Sequence, residues 1–425
     1  MRALVCSLLC FGSAACGPDF TPQEEIDRLR VLGVKSEVEG QPGVAWPGVV
    51  DDARLTALVT NEALADPTGF GYAWRICPVA FGSESDFQCA FTEEEFEALL
   101  LEQLADVPRD ELIEAVVDQL LPDGTEEEKQ QLREALNDAF DQIPDLVDVD
   151  FDLPTPTTST TAIFELRRVF FGDALDDLPF DPDPFVAPLL ESLLAGACEQ
   201  LQTAEFPDFV ERPECNGTFQ VRIDLTVCSP GIECTADRLP AEGEGPPDVV
   251  KTLRFLDVVY DDEVVRNRNP VVQSVCRGGT NNEPPPECAE LGTVVPPDQA
   301  AGLPFGANVP FELADLETDD AETYLAVIET GTGTTTEERQ ERLTVSWFVT
   351  GGELDRNRTA FDPLQPETSP IDRARFKVWS IPRQIDLSPE EEDATYGIFM
   401  VVRDGRGGRA FVQRIAQFVS SSTGR

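Results

Sequence analysis

Cysteine and carboxylate side chains carry most of the chemical capacity of this chain, and histidine is absent. Without an imidazole there is no Ser-His-Asp or Cys-His nucleophile system, no histidine general base and no His-ligated metal. Cys228 and Cys234 bracket the run C-S-P-G-I-E-C, whose Pro-Gly pair predicts a turn that brings two thiols together. Cys276 and Cys288 bracket the Gly/Asn/Pro-rich run RGGTNNEPPPE in the same way. No C-x-x-C spacing occurs, so neither a zinc ribbon nor a thioredoxin-like redox pair is expected. Eighty Asp and Glu residues make a two-carboxylate acid–base pair trivially available. A carboxylate-dependent hydrolase therefore stands as one alternative, without a motif of its own. Calcium prefers hard oxygen ligands. Asp148, Asp150 and Asp152 alternate, which on a strand puts three carboxylates on one face, and Asp176, Asp177, Asp181 and Asp183 lie in a Pro-rich stretch. Neither group has the EF-hand spacing, and solvated acidic loops explain both. Calcium is the one cofactor that these residues suggest, and a calcium-stabilised adhesion protein is the other alternative.

The compartment is set by the first residues. MRALVCSLLCFGSAAC has one Arg after the start, an apolar run from Ala3 to Phe11 and small residues leading to Cys16. That is a secretory signal pattern over 1–15, too short for a membrane-spanning helix. The ending S-A-A-C resembles a bacterial lipobox, with Ser13 where that family prefers Leu. The resemblance implies lipidation of Cys16 and a tether over 16–27. Gly17, in place of the Asp that often marks inner-membrane retention in such lipoproteins, implies the outer membrane or the cell surface. Ordinary secretion, with Cys16 a spare thiol, is the simpler alternative. With Cys6 and Cys10 in the signal and Cys16 lipidated, eight cysteines remain: Cys77, Cys89, Cys198, Cys215, Cys228, Cys234, Cys276 and Cys288. An even number in an exported chain predicts disulfides, with sequence neighbours as the simplest pairs.

The chain has 425 residues, 41% of them hydrophobic, enough for two or three domains with sizeable cores. Its net charge of −48 opposes binding to nucleic acid and to bare anionic membrane. Leu343, Val345, Trp347 and Val349 alternate, as do Tyr396, Ile398, Met400 and Val402, and a last strand covers about Arg409 to Val419. Each run predicts a strand with one buried face, and Asp404-Gly405-Arg406-Gly407-Gly408 between the last two predicts a hairpin. An exposed Arg406 at its tip is a candidate contact for a partner. The buried Trp on an early strand, with Glu392-x-Ala394-x-Tyr396-x-Ile398 opening a late one, resembles an immunoglobulin-like sandwich. The spacing Y-x-I-x-M-x-V-x-D-x-x-G is similar to the late hairpin of PKD-type bacterial Ig-like domains.

An earlier copy is suggested by Leu55 onward, by Tyr72, Trp74 and Ile76, and by Phe219, Val221, Ile223, Leu225 and Val227. Its extra length is largely helical. Thr92-Glu93-Glu94-Glu95 and Thr125-Glu126-Glu127-Glu128 are capping boxes, and Leu112, Ile113, Val116, Val117 and Leu120 form an apolar stripe between them. TPTTSTT near Thr155 reads as a linker. From Phe91 to Asp152 there are 21 acidic and 3 basic residues. Such helices either pack on the sandwich with solvated outer faces or, if the stripes are exposed, form a docking surface for a protein partner. Arg266-Asn267-Arg268-Asn269-Pro270 reads as a rigid junction, since Pro270 keeps Asn269 extended.

The fold expected is mainly β with an α insert. A first Ig-like unit over 28–262 is interrupted by acidic helices at about 91–143 and 185–201, and a second Ig-like or PKD-like unit covers 263–425. The function expected is that of an exported, lipid-anchored lipoprotein of the outer membrane or cell surface, a non-catalytic binding or scaffold component.

Overall fold

The computed structural model describes residues 25–419 except 62–63, 65–68, 79–88, 90, 107, 123, 154–159, 172–182, 204–215, 237, 239–247, 273, 278–300, 331–332 and 384–394. The described residues form a mixed α/β structure of five small sheets with helices. In the first half, β1 (Arg30–Val38), β2 (Asp52–Thr60) and β4 (Thr161–Glu165) form one antiparallel sheet in the order β1-β2-β4. A second antiparallel sheet joins β3 (Gly71–Cys77), β5 (Thr218–Cys228) and β6 (Val249–Val259) in the order β3-β5-β6. TPTTSTT is thus only partly a connection, because its last residue, Thr161, opens β4 and pairs with Thr56. Successive side chains of a strand point to opposite faces. On β2 that turns Ala53, Leu55, Ala57 and Val59 into the core, together with Trp74, Ile76, Val221, Ile223 and Leu225 of the other sheet.

Among the described residues, five helices close this core: α1 (Glu93–Asp106), α2 (Arg109–Leu120), α3 (Glu126–Leu146), α4 (Leu166–Phe171) and α5 (Asp183–Thr203). Both capping boxes form. Thr92 Oγ1 accepts from Glu95 N at 3.2 Å while Glu95 Oε2 accepts from Thr92 N at 2.9 Å, and Thr125 with Glu128 repeats the arrangement. Phe96, Leu100, Ile113, Val116, Val117, Leu136 and Phe140 are buried in the same apolar cluster as the two sheets. The helical stripes therefore face inward. A partner meeting these helices would find their polar outer face, because residues spaced three and four apart cannot serve two surfaces at once.

In the second half, β8 (Ala301–Pro304), β12 (Thr344–Val349), β14 (Arg358–Ala360), β16 (Thr395–Arg403) and β17 (Arg409–Val419) form a sheet in the order β14-β12-β16-β17-β8. β7 (Val275–Arg277), β9 (Asn308–Leu313), β13 (Glu353–Leu354) and β15 (Phe376–Ser380) form another in the order β13-β15-β9-β7. Trp347, Ile398, Met400 and Phe418 from the first of these sheets share one apolar cluster with Phe311 and Trp379 from the second. Among the described residues, β10 (Thr323–Thr330) and β11 (Gly333–Gln340) pair only with each other, and Leu325 there is 71% exposed.

The two halves share a pairing plan. Trp74 on β3 lies opposite Leu225 on β5, and β5 pairs onward with β6. Trp347 on β12 lies opposite Met400 on β16, and β16 pairs onward with β17. The prediction of one buried face fails for β16, where Tyr396 through Val402 are all buried. Its second face, Phe399 and Val401, packs on Leu32 of β1 and on Ile26. Ile26, assigned from the sequence to the tether, is fully buried and donates its backbone N–H to Val349 O at 2.8 Å. Gly33 permits this approach, because a Cβ there would stand 2.8 Å from the Phe411 ring.

Candidate functional site

The junction between the halves is polar and buried, and it is built from residues that the sequence places far apart. On β6, Arg254 occupies an inward slot two residues before Leu256 and four before Val258. Only 2% exposed, it donates from Nη1 to Val34 O (2.6 Å) and from Nη2 to Ser36 Oγ (3.0 Å) and Gly407 O (2.6 Å). Burial lowers its pKa to about 9, with the Arg409 charge adding to the shift. Gly407 belongs to the hairpin turn Asp404–Gly408, which forms as predicted between β16 and β17. Gly408 is obligatory there, since a Cβ would fall 2.5 Å from the Arg268 carbonyl oxygen.

The turn is a plug, not a free tip. Arg406, expected as an exposed contact, is mostly buried and lies between the rings of Trp46 and Tyr324, 4.4 Å from each centroid. Its Nη1 donates to Glu341 Oε1 at 3.1 Å, and its carbonyl accepts from Trp46 Nε1. A guanidinium stacks on aromatic faces while its edges still hydrogen-bond, which a solvated tip would not exploit. Glu341 is buried with it, and desolvation followed by the Asp404 charge pushes its pKa up to about 8. Asp404 is also raised by burial, although it accepts from Asn267 Nδ2 at 2.9 Å and from Arg406 N at 2.7 Å.

The segment 266–270, read from the sequence as a rigid junction, is hydrogen-bonded to both halves. Asn267 and Asn269 are buried, and Asn269 bridges the halves by donating to Ser36 O (2.7 Å) and accepting from Arg409 N (2.7 Å). Arg266 pairs with Asp51.

Beside this junction lies a cleft of about 710 Å³. Lys35 and Glu37 of β1 form one wall, Arg268 to Val272 the floor, and Asp319, Asp320 and Glu322 the other wall. Lys35 Nζ donates to Glu37 at 2.6 Å. Asp320 uses both oxygens on backbone N–H groups, Oδ1 on Val271 (2.9 Å) and Oδ2 on Glu317 (2.8 Å), and so clamps the floor to the wall. Arg268, Asp319 and Glu322 have no side-chain hydrogen bond or ion pair among the described residues. Sequence reading missed this cleft, because the residues that define it come from five separated segments.

Of the carboxylates singled out from the sequence, Asp148, Asp150, Asp152 and Asp183 lie among the described residues. Asp148, Asp150 and Asp152 are exposed while Val149, Phe151 and Leu153 are buried, so the three do share an outward face. Asp183 pairs with Arg167 at 2.7 Å. Among the described residues, no three His, Cys, Asp or Glu side chains are grouped to hold a metal. Residues 1–24 with Cys16, and Asp176, Asp177, Asp181, Cys215 and Cys288, lie outside the described residues.

Cys228–Cys234 forms as the turn predicts, and Cys77–Cys89 forms between sequence neighbours. Cys198 and Cys276 are disulfide-bonded as well. No family model matches the chain, and neither a curated protein nor a solved structure matches it significantly.

Proposed function

We propose that this chain is an exported, lipid-anchored component of the bacterial outer membrane or cell surface that binds or scaffolds another envelope protein and performs no catalysis. The observation that carries the reading is the state of the thiols. Each described cysteine, Cys77, Cys89, Cys198, Cys228, Cys234 and Cys276, is in a disulfide, as suits an oxidising compartment. The N-terminal pattern ending in Cys16 supports the same address. No helix among the described residues is long and apolar enough to cross a membrane, so the proposed attachment is the lipid on Cys16. Multiple acyl chains anchor stably, at about 0.8 kcal/mol per buried CH₂.

The fold proposed for each half is an Ig-like sandwich. It is supported by the matched order of Trp strand, late strand and hairpin mate, and in the first half the helices complete the core. A binding role is favoured because the cleft beside the junction mixes apolar surface with charged side chains, Arg268, Asp319 and Glu322, that the fold does not use. The test is metabolic labelling with a radioactive fatty acid in cells that express the full chain or its Cys16→Ala variant. Label in the wild type and none in the variant is expected. Equal label in both, or none in either, overturns lipidation.

A further inference from the structure

We propose that the cleft beside the junction binds an extended segment of a partner polypeptide that carries a basic side chain next to an acidic one. The proposal rests on the reading of the chain as a binding component and names the chemistry of what it binds. The volume, about 710 Å³, falls within the range of roughly 300–1,000 Å³ typical of clefts that take drug-sized ligands, room for one or two side chains of such a segment.

Three charged groups in the cleft are not used by the fold. Arg268 is exposed on the floor and Asp319 is exposed on the far wall, next to Glu322. None of them has a side-chain partner among the described residues, whereas Lys35, Glu37 and Asp320 in the same cleft are all engaged. A ligand that complements this set presents a cation to Asp319 and Glu322 and an anionic oxygen to Arg268, which can hold a carboxylate with two parallel N–H donors. Apolar surface from Val271, 48% exposed, and from Phe411 lies along the cleft and suits the stem of a long side chain or a neighbouring apolar residue.

The cation is the anchoring half of the match. The net charge of −48 draws positive segments toward the molecule and repels acidic ones, which raises the rate of encounter with a basic partner. A second copy of this chain carries the same charge and is disfavoured as the occupant. The Asp320 clamp on Val271 N keeps wall and floor in place before a ligand arrives, so little ordering is needed on binding.

The test uses the full-length protein and a synthetic library of acetylated, amidated octapeptides. Each holds one Arg and one Asp among Val, Pro and Ser, and a matched library has citrulline in place of Arg. Binding is read by fluorescence polarisation. Arg peptides should bind, with citrulline costing roughly tenfold, about 1.4 kcal/mol. Asp319→Asn with Glu322→Gln should remove that preference, and Arg268→Gln should remove the preference for the Asp residue. The pair Glu94→Gln and Glu127→Gln changes the net charge equally on the exposed face of the helices and should leave binding unchanged.

No binding at millimolar peptide, or an equal loss in both charge-matched double variants, overturns the proposal. Fatty-acid labelling of Cys16 is read independently. Labelling without peptide binding removes this inference alone, and peptide binding without labelling removes the anchor alone.

Discussion

A buried guanidinium that holds carbonyl oxygens is costly to lose and hard to replace. Arg254→Met would leave Val34 O, Ser36 Oγ and Gly407 O without their donor, and each stranded acceptor costs about 1–3 kcal/mol. A net loss of about 3 kcal/mol is expected in urea unfolding. Arg254→Lys should recover little of it, because an ammonium cannot fork toward three acceptors. Glu341 gives a pH dependence. Its carboxyl titrates near 8 in the folded chain against an ordinary value of 4.5, so the native state holds a proton that the unfolded chain has released. Stability from this group is full below about pH 4.5 and is lost as pH rises toward 8. The melting temperature should fall across that window, and Glu341→Gln should flatten the slope. An unchanged slope in the variant would assign the titration to Asp404 or another carboxyl. Arg254 was not legible, because nothing in the sequence around it marks its strand or the three acceptors it reaches. Glu341 was not, because nothing local marks the carboxylate that Arg406 reaches across 65 residues.

At the scale of elements, local chemistry was the readable part. Capping boxes, the Pro-Gly disulfide loop and the Asp404–Gly408 turn are encoded within a few residues, and all form. β4 was hidden because its polar approach, TPTTSTT, reads as a connection and only pairing with β2 makes it a strand. The helices are core elements, and substitutions should show it. Phe96→Ala should cost about 3–5 kcal/mol, because its ring packs on Phe151 and Phe170. Exposed Glu127→Gln should stay within about 0.5 kcal/mol. Denaturant titration of the two variants separates a core insert from a peripheral one. The disulfides close loops of different length, 12 residues of separation for Cys77–Cys89 and 6 for Cys228–Cys234. Loop entropy then assigns about 3 and about 2.4 kcal/mol respectively to their removal by paired Cys→Ser changes.

The relation between the halves was the least legible feature of the whole molecule. Alternation announces that a strand has a buried face, but not that its other face will be covered by a strand some 370 residues away, as Leu32 covers Val401. Interfaces between domains of one chain are usually small and polar, and relative motion is the default. Here an apolar contact of Leu32, Phe399 and Val401 is joined to the buried cluster of Arg254, Asn267, Asn269, Asp404 and Arg406. Unfolding either half would strand partners in the other, so calorimetry should find one heat transition for the full chain. Arg406→Ala removes the cation between Trp46 and Tyr324 and the donor that Glu341 accepts from, a change of about 2–3 kcal/mol concentrated at the junction. The halves should then melt in two steps. Binding of the Arg peptides should weaken as well, although Arg406 does not line the cleft, because floor and walls come from both sides of the junction. Two transitions already in the unaltered chain would mean that the halves are only tethered, and the cleft would then owe its shape to the Asp320 clamp alone.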